Sequence, residues 1–490
     1  MNKKSTSRYT RLVTNTAVFT VGKLLSKLLV FFMTRLYTAY LTRADYSTAD
    51  LIVNMANLLI PLACVGISEG IFRNAAAKDG DKEAFLTNGL VVLGGGSLVF
   101  LALSPLLGIL PAIGVTETSV PFLGGTTALV VLYVLSANLH TVVSQYLCAI
   151  GRTKLYAGQG ILNTALVIGL NILFLPVLDL GVAGYVLSTV IADFLTTLVL
   201  ILSTRLWRAI KPRSVSWETI RTMLRFCLPL VPTTIFWWIT GVSDRYMVAA
   251  MKSPEMNGLY TAAYKIPTLL IYAVGIFDSA WKLSVSAEDD PEACRAFYSR
   301  VWRVYTTVAF LGGGALVLLS RVFAHLLFAE AYREAWVYIP LLTVATVFTA
   351  LDTFLGSVYF TGRRTMWSML TAFVGAALNI LLNLLLIPDW GAAGASLATF
   401  VAYFAVFILR LVTTRRLIPF HQEWGRWIVN TILILTLAAA VTLTGGDHGA
   451  VLWGLAGVLF AALLAFNARA VLEILRGVLR AVHHPAPREP

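Results

Sequence analysis

Lys23 and Lys27 stand one helical turn apart inside "NTAVFTVGKLLSKLLVFFMTRLYTAYL", residues 15–41, a stretch apolar enough to enter a bilayer. On a wheel of 100° per residue, Thr16, Thr20, Lys23, Lys27, Thr34 and Thr38 share an arc about 60° wide. Every residue from 16 to 38 in that arc is polar. A lysine in midspan costs about 2.5–3.5 kcal/mol on insertion scales, so the stripe is expected to face water or an anion. No carboxylate stands in the same helix interior. Two ammonium groups at this spacing suit a phosphate or pyrophosphate as point-charge partners. They predict an anionic headgroup as ligand, with Lys265 as a third buried cation beside Thr261, Tyr272 and Ser279.

Other side chains are equally costly in an apolar setting. "PLVPTTIFWWITGVSDRYM" bends at Pro229 and Pro232 and offers Trp237 and Trp238, either as sugar-stacking faces or as packing against neighbouring helices. Asp244 and Arg245 are expected to pair locally. Glu69 with Arg73, and Asp278 with Lys282, are acids four residues before a base, the favourable helical spacing. They read as gate ion pairs or as ordinary interfacial pairs. His140, Asp193 and Asp352 lie within apolar segments and are candidates for carrying a coupling ion, H+ or Na+. No phosphate-binding glycine loop, zinc-ligand spacing or nucleophile motif occurs, so neither a bound metal, another cofactor nor an enzymatic activity is expected.

The elements that must position these groups are membrane helices. Of 490 residues, 58% are hydrophobic and 13% charged, against about 45–50% and 25% in soluble domains. The apolar residues fall in blocks of the length that crosses a bilayer as a helix. Fourteen spans are expected, near 12–34, 46–72, 86–110, 121–149, 155–176, 181–205, 224–250, 257–281, 301–328, 336–360, 366–387, 391–413, 427–444 and 449–469. With the N-terminus inside, 29 of the 38 Lys and Arg residues fall on the inner side. This is the positive-inside pattern. It places both termini in the cytoplasm and assigns the net charge of +13 to topology and lipid headgroups rather than to nucleic acid. The four cysteines lack metal-site spacing and read as apolar filler, and the lysines of the first span argue against a cleaved signal.

The chain also repeats itself. "RLYTAYLTRADYSTAD" (35–50) aligns on "RYMVAAMKSPEMNGLY" (245–260), a shift of 210. "GRTKLY" at 151 recurs as "GRRTMW" at 362, Asn171 as Asn383, and "DLGVAGY" (179–185) as "DWGAAGA" (389–395). The expected fold is all-α and polytopic. Its parts are an N-lobe over 1–210, a parallel C-lobe over 211–420, two additional helices over 421–472 and a tail over 473–490. In parallel repeats a substrate site lies near the midplane between lobes.

These features together resemble the polysaccharide or O-antigen repeat-unit flippases (Wzx type) of the multidrug/oligosaccharidyl-lipid/polysaccharide exporter superfamily. The resemblance rests on the basic N-terminus, the first helix ending in "RLYTAYLTRADYSTADL", the "GRTKLY" and "GRRTMW" turns and the two six-helix lobes. It implies movement of a polyprenyl-pyrophosphate-linked oligosaccharide across the cytoplasmic membrane by alternating access, in concert with membrane lipids and polysaccharide polymerase machinery. Fourteen helices also match lipid II flippases, whose extra helix pair is thought to shelter the lipid tail. A multidrug or cation antiporter of the same superfamily is a further alternative, although such proteins carry acids where this first helix has lysines. A membrane polymerase or glycosyltransferase would need a substantial outer loop with catalytic groups, and the outer loops here are short.

Overall fold

The computed structural model describes residues 29, 31–76, 81–117, 125–275, 291–361, 365–444 and 449–483. All their regular elements are helical. The main ones are α1 (Thr34–Tyr40), α2 (Arg43–Ala63), α3 (Ile67–Ala76), α4 (Lys82–Leu103), α5 (Thr126–Ala149), α6 (Thr153–Ile172), α7 (Gly181–Thr204) and α8 (Trp217–Cys227). There follow α9 (Leu230–Met251), α10 (Pro254–Lys265), α11 (Pro291–Leu318), α12 (Ser320–Leu327), α13 (Ile339–Thr361), α14 (Thr365–Arg415), α15 (Trp424–Leu443) and α16 (Gly449–His483). Among the described residues, ten helices are long and apolar enough to cross a membrane, or eleven if α2 and α3 form one span bent by 56°. The bend falls where Val65 and Gly66 both take left-handed backbone angles. The run counted as α14 holds two expected spans, because Gly391 breaks the helical backbone at φ 56°, ψ −133°. The two remaining expected spans, 12–34 and 257–281, run largely or partly outside the described residues. The arrangement is consistent with fourteen.

Two compact units are present, one within 15–261 and one within 262–490. In the first, Leu51, Ile52 and Ala56 of α2 pack with Leu129, Val130 and Val134 of α5 and Val186 of α7. The start of α4 clamps the segment after α7. Asn88 donates to the Ser214 carbonyl at 2.9 Å and accepts from the Ser216 N–H at 2.8 Å. Beside it, Glu83 meets exposed Lys211 at 2.5 Å, and the hydrogen bond and charge of that carboxylate hold the ammonium above its usual pKa.

In the second unit α13 is central: 78% of its apolar window is buried, against 11% for α16. Its Phe354 and Phe348 pack against Trp302 of α11 and Phe407 of α14 in tilted contacts, at centroid distances of 5.2 Å for Trp302–Phe354 and 5.3 Å for Phe348–Phe407. Exposed Val451, Val458 and Leu464 on α16 are the side chains an acyl environment favours.

The internal repeat has a structural counterpart. Gly181 and Gly391, one shift of 210 apart, both hold positive φ, 50° and 56°. Only glycine occupies such angles without steric cost. In the helices they join, Asn171 donates to Ser188 at 2.7 Å, and Asn383 donates to Asn379, which donates to Thr399. In both places buried amides tie together the helices that the glycine joins.

The last two helices are fastened to the second unit by charge as well as apolar area. Glu423, in a left-handed conformation (φ 49°) just before α15, binds two arginines. Arg303 of α11 donates from Nε at 2.5 Å and Arg426 from Nη1 at 3.1 Å. Arg426 also reaches Asn467 of α16 at 2.9 Å, and Asn467 donates to Asn430 of α15 at 2.7 Å. Glu423→Gln removes the charge both arginines share. It is expected to cost about 2–3 kcal/mol, below the range for a fully buried pair. Thermal unfolding in detergent with a fluorophore on α16 checks this. An unchanged transition would mean the network does not hold the pair in place.

Candidate functional site

Polar side chains in a membrane helix are costly unless they meet each other, and the first unit gathers several where α2, α9 and α10 converge. Thr42 caps α2 by accepting from the Asp45 N–H at 3.1 Å, which fixes where the helix starts. Two turns on, Asp50 is buried, 4% exposed. Its Oδ2 accepts from Arg245 Nη1 at 2.6 Å and from Asn54 at 2.8 Å. Asp244 is fully buried. It accepts from the Arg245 backbone N–H at 2.9 Å and from the Tyr260 hydroxyl at 2.7 Å. Tyr246 donates to the Leu51 carbonyl at 2.5 Å and Trp238 to that of Asn54 at 2.8 Å. Asn257 donates to Ser47 at 2.8 Å. These two are equivalent positions of the repeat, 210 residues apart. The backbones approach closely here: a Cβ on Gly258 would stand 2.0 Å from the Arg43 carbonyl oxygen.

This arrangement corrects one expectation. Successive residues on a helix point about 100° apart, so the Arg245 guanidinium turns to Asp50 on another helix, and Asp244 holds the Arg245 backbone instead. Trp238 is a packing and hydrogen-bonding residue, 5.5 Å from the Tyr246 ring, and Trp237 is half-buried. A second correction concerns α3. Arg73 and Glu69 form no ion pair; the Arg73 guanidinium lies over the Phe226 ring at 4.2 Å. The ring face attracts the cation through its quadrupole. Lys265 is half-buried at the end of α10, with its carbonyl capped by the Thr268 hydroxyl. Lys23, Lys27, Asp278 and Lys282 lie outside the described residues.

A second polar cluster joins α5, α6 and α7. His140 Nδ1 stands 3.2 Å from Thr197 Oγ1, and Asn163 donates to Asp193 Oδ1 at 2.7 Å. Thr197 links the two, since its hydroxyl also donates to the Asp193 carbonyl at 2.6 Å. The structure thus brings together two residues that the sequence separates by 53 positions.

The family described as "Polysaccharide biosynthesis protein" matches residues 12–281, more than half of the chain. The chain belongs to that family. Residues 282–461 match the family "Lipid II flippase MurJ". Among solved structures, the lipid II flippase MurJ in an inward closed conformation has 15% identity and a TM-score of 0.68, covering 93% of this chain and 100% of that one. An inward-facing multidrug resistance MATE transporter of the MOP superfamily has 15% identity and a TM-score of 0.64, covering 80% and 95%. At these identities the likeness is one of fold. "Uncharacterized membrane protein MJ1068" of Methanocaldococcus jannaschii is 24% identical over 198 residues, 40% of this chain and 36% of that relative. The chain therefore spans little more than a third of that relative's length. This member of the polysaccharide biosynthesis family is a multi-pass membrane protein whose fold is like those of the MurJ and MATE structures. The families it matches are transporter and flippase families rather than families of catalytic enzymes.

In this family member's second unit Asp352 of α13 is fully buried and both its carboxylate oxygens lack a hydrogen-bond partner. The nearby Arg410 of α14 gives Nη1 to the Asp352 carbonyl at 2.7 Å and Nε to Thr371 at 3.1 Å. Sequence reasoning missed Asp50, Arg303, Arg410 and Arg426. The signal for Asp50, Arg303 and Arg410 was a charge inside the bounds of an expected span, which is a functional or structural flag by itself. Among the described residues no cluster of three or more His, Cys, Asp or Glu could hold a metal ion.

Proposed function

We propose that this protein moves a polyprenyl-pyrophosphate-linked oligosaccharide from the cytoplasmic to the outer leaflet by alternating access, for cell-surface polysaccharide biosynthesis. The observation that carries this reading is the polysaccharide biosynthesis match over 12–281, a segment that contains Lys23 and Lys27. Those two ammonium groups supply the charge a pyrophosphate needs in a medium where an unpaired anion is costly. The basic bias of the inner loops supports a cytoplasmic-membrane orientation with both termini inside. In that orientation the Asp50–Arg245 pair sits near the outer ends of its helices and joins them in the state described. It must part for the glycan to leave.

A second reading is favoured by one observation. Residues 282–461 match the lipid II flippase family, so a peptidoglycan precursor is the alternative cargo. Both cargoes present a pyrophosphate to the same lysines and differ in the sugar.

Reconstituted vesicles separate the readings. Purified protein is expected to flip a polyprenyl-pyrophosphate-linked oligosaccharide faster than lipid II, read as loss of leaflet-restricted accessibility to a sugar-oxidising reagent. Faster flipping of lipid II would favour the second reading. Uptake of a cationic drug with no glycan movement would make the protein an antiporter.

A further inference from the structure

We infer that a cavity at the inner ends of α4, α5 and α7 is a binding site for a phosphate group, occupied by the headgroup of an anionic phospholipid of the inner leaflet. The cavity holds about 310 Å³, within the range of built ligand sites. Glu83 at the start of α4, Tyr146 near the end of α5, Arg152 in the turn after it, and Arg205 and Arg208 beyond the end of α7 line it. None of these residues belongs to the cargo contacts proposed above, so the site stands or falls apart from the flippase reading.

The charge of the cavity is positive and uncompensated. Three guanidinium groups share the lining with one carboxylate, and Lys211 already engages that carboxylate at 2.5 Å. Among the described residues none of the three arginine side chains has an ion-pair or hydrogen-bond partner. The nearby Asp81 is turned to the start of α4, where it accepts from the Glu83 and Ala84 N–H groups at 3.1 Å. Arginine presents a planar fork of donors that matches phosphate oxygens. Tyr146 adds a neutral donor. It is 3% exposed, and among the described residues its hydroxyl has no hydrogen-bond partner. A buried tyrosine hydroxyl usually finds one, and a phosphate oxygen in the cavity would accept from it. Arg205 closes α7 with a left-handed backbone, φ 52° and ψ 44°, where glycine is the favoured residue. The guanidinium is what glycine could not supply.

Two features select a lipid rather than a soluble phosphate. The rest of the lining includes Leu147, Ile150 and Leu206, which suit a glycerol backbone and the first acyl carbons and offer nothing to a free ion. The chain around Arg208 also has the chemistry of a membrane surface. Trp207 and Ile210 are 48% and 41% exposed, and tryptophan in membrane proteins is enriched at headgroup level. The basic bias of the loops puts these helix ends on the cytoplasmic side, where basic pockets between membrane helices take anionic headgroups. A bound headgroup would join the end of α5 to the segment after α7, which Glu83 and Asn88 already clamp.

The test titrates full-length protein in neutral detergent with short-chain phosphatidylglycerol, bound lipid being counted by native mass spectrometry. One tight site is expected, with short-chain phosphatidylcholine bound about tenfold more weakly or worse. Each arginine removed is expected to weaken phosphatidylglycerol binding about tenfold, so Arg152→Gln with Arg205→Gln and Arg208→Gln should abolish the tight site. Tyr146→Phe is expected to weaken it about fivefold. That change leaves the surface charge as it was, so its loss cannot come from a general basic coat. Arg221 and Arg225 are exposed on α8, and changing both to glutamine should leave the tight site intact. Undiminished binding in the triple variant, an equal loss in the α8 variant, or phosphatidylcholine bound as tightly as phosphatidylglycerol overturns the proposal. Should the triple variant fail to fold, Tyr146→Phe decides, and unchanged affinity there overturns it. Inorganic phosphate separates the sources. It is expected to displace the lipid only in large excess; displacement at equal concentration would overturn the lipid as occupant in favour of a soluble phosphate compound.

Discussion

Replacing Lys23 and Lys27 together with alanine is expected to bring export of lipid-linked glycan to background while the protein still accumulates in the membrane. A hydrogen bond to a charged group contributes about 1.5–3 kcal/mol. Two lost together weaken headgroup binding by about 3–6 kcal/mol, which is a hundredfold or more. The variant should insert at least as well as the native chain, because two costly cations are gone. That separates a binding role from a structural one. If the lysines only paired within the bundle, the double variant would lose abundance along with export. Lys23→Arg with Lys27→Arg keeps both charges and is expected to retain much of the activity. Surface polysaccharide and membrane protein level, measured in the same cells, decide the matter. Normal export by the alanine variant would remove the proposed headgroup contact.

Asp50→Asn should destabilise the state described here by roughly 3–5 kcal/mol, the cost of leaving a buried charge unpaired. The Arg245 side chain is 12% exposed and that of Asp50 6%, so solvent cannot compensate well. Arg245→Met should cost a similar amount for the same reason. Asp50→Leu combined with Arg245→Met removes both charges of this pair together and is expected to be milder than either single change. The cycle therefore gives a coupling energy, measured by thermal unfolding in detergent. Additive losses would show that the 2.6 Å contact contributes little. Function adds a second measure: a weakened pair should shift labelling of cysteines near the start of α2 toward the outward-open state.

Much of the fold was legible because a bilayer imposes two strong signals, span length and the siting of basic residues. The repeat was legible for a different reason. It rests on Gly, Asn and Pro, whose backbone and polar roles restrict what can replace them, and Gly181 and Gly391 do share a left-handed backbone. Pairing was the part that sequence could not supply. Asp50 and Arg245 are 195 residues apart, and Arg303 and Glu423 are 120 apart. Nothing local marks such partners. The local rule also misled at Glu69 and Arg73. Spacing by four makes a pair possible, but Phe226 from α8 offered the guanidinium an aromatic face. His140 and Asp193 were each visible as a costly residue, and only the packing of α5 against α7 made them one site.

Ser47 and Asn257 meet although each is the counterpart of the other. A seam of that kind is what a two-fold homodimer makes, where a patch faces its own copy. Two identical copies of the repeated unit, assembling as a pair, would set one residue type against itself there. In a single chain each side is free to differ. Serine now faces asparagine, and the position that is aspartate at 50 is tyrosine at 260. The ion pair to Arg245 is then an asymmetry, one that a protein built from two identical halves would carry twice or not at all.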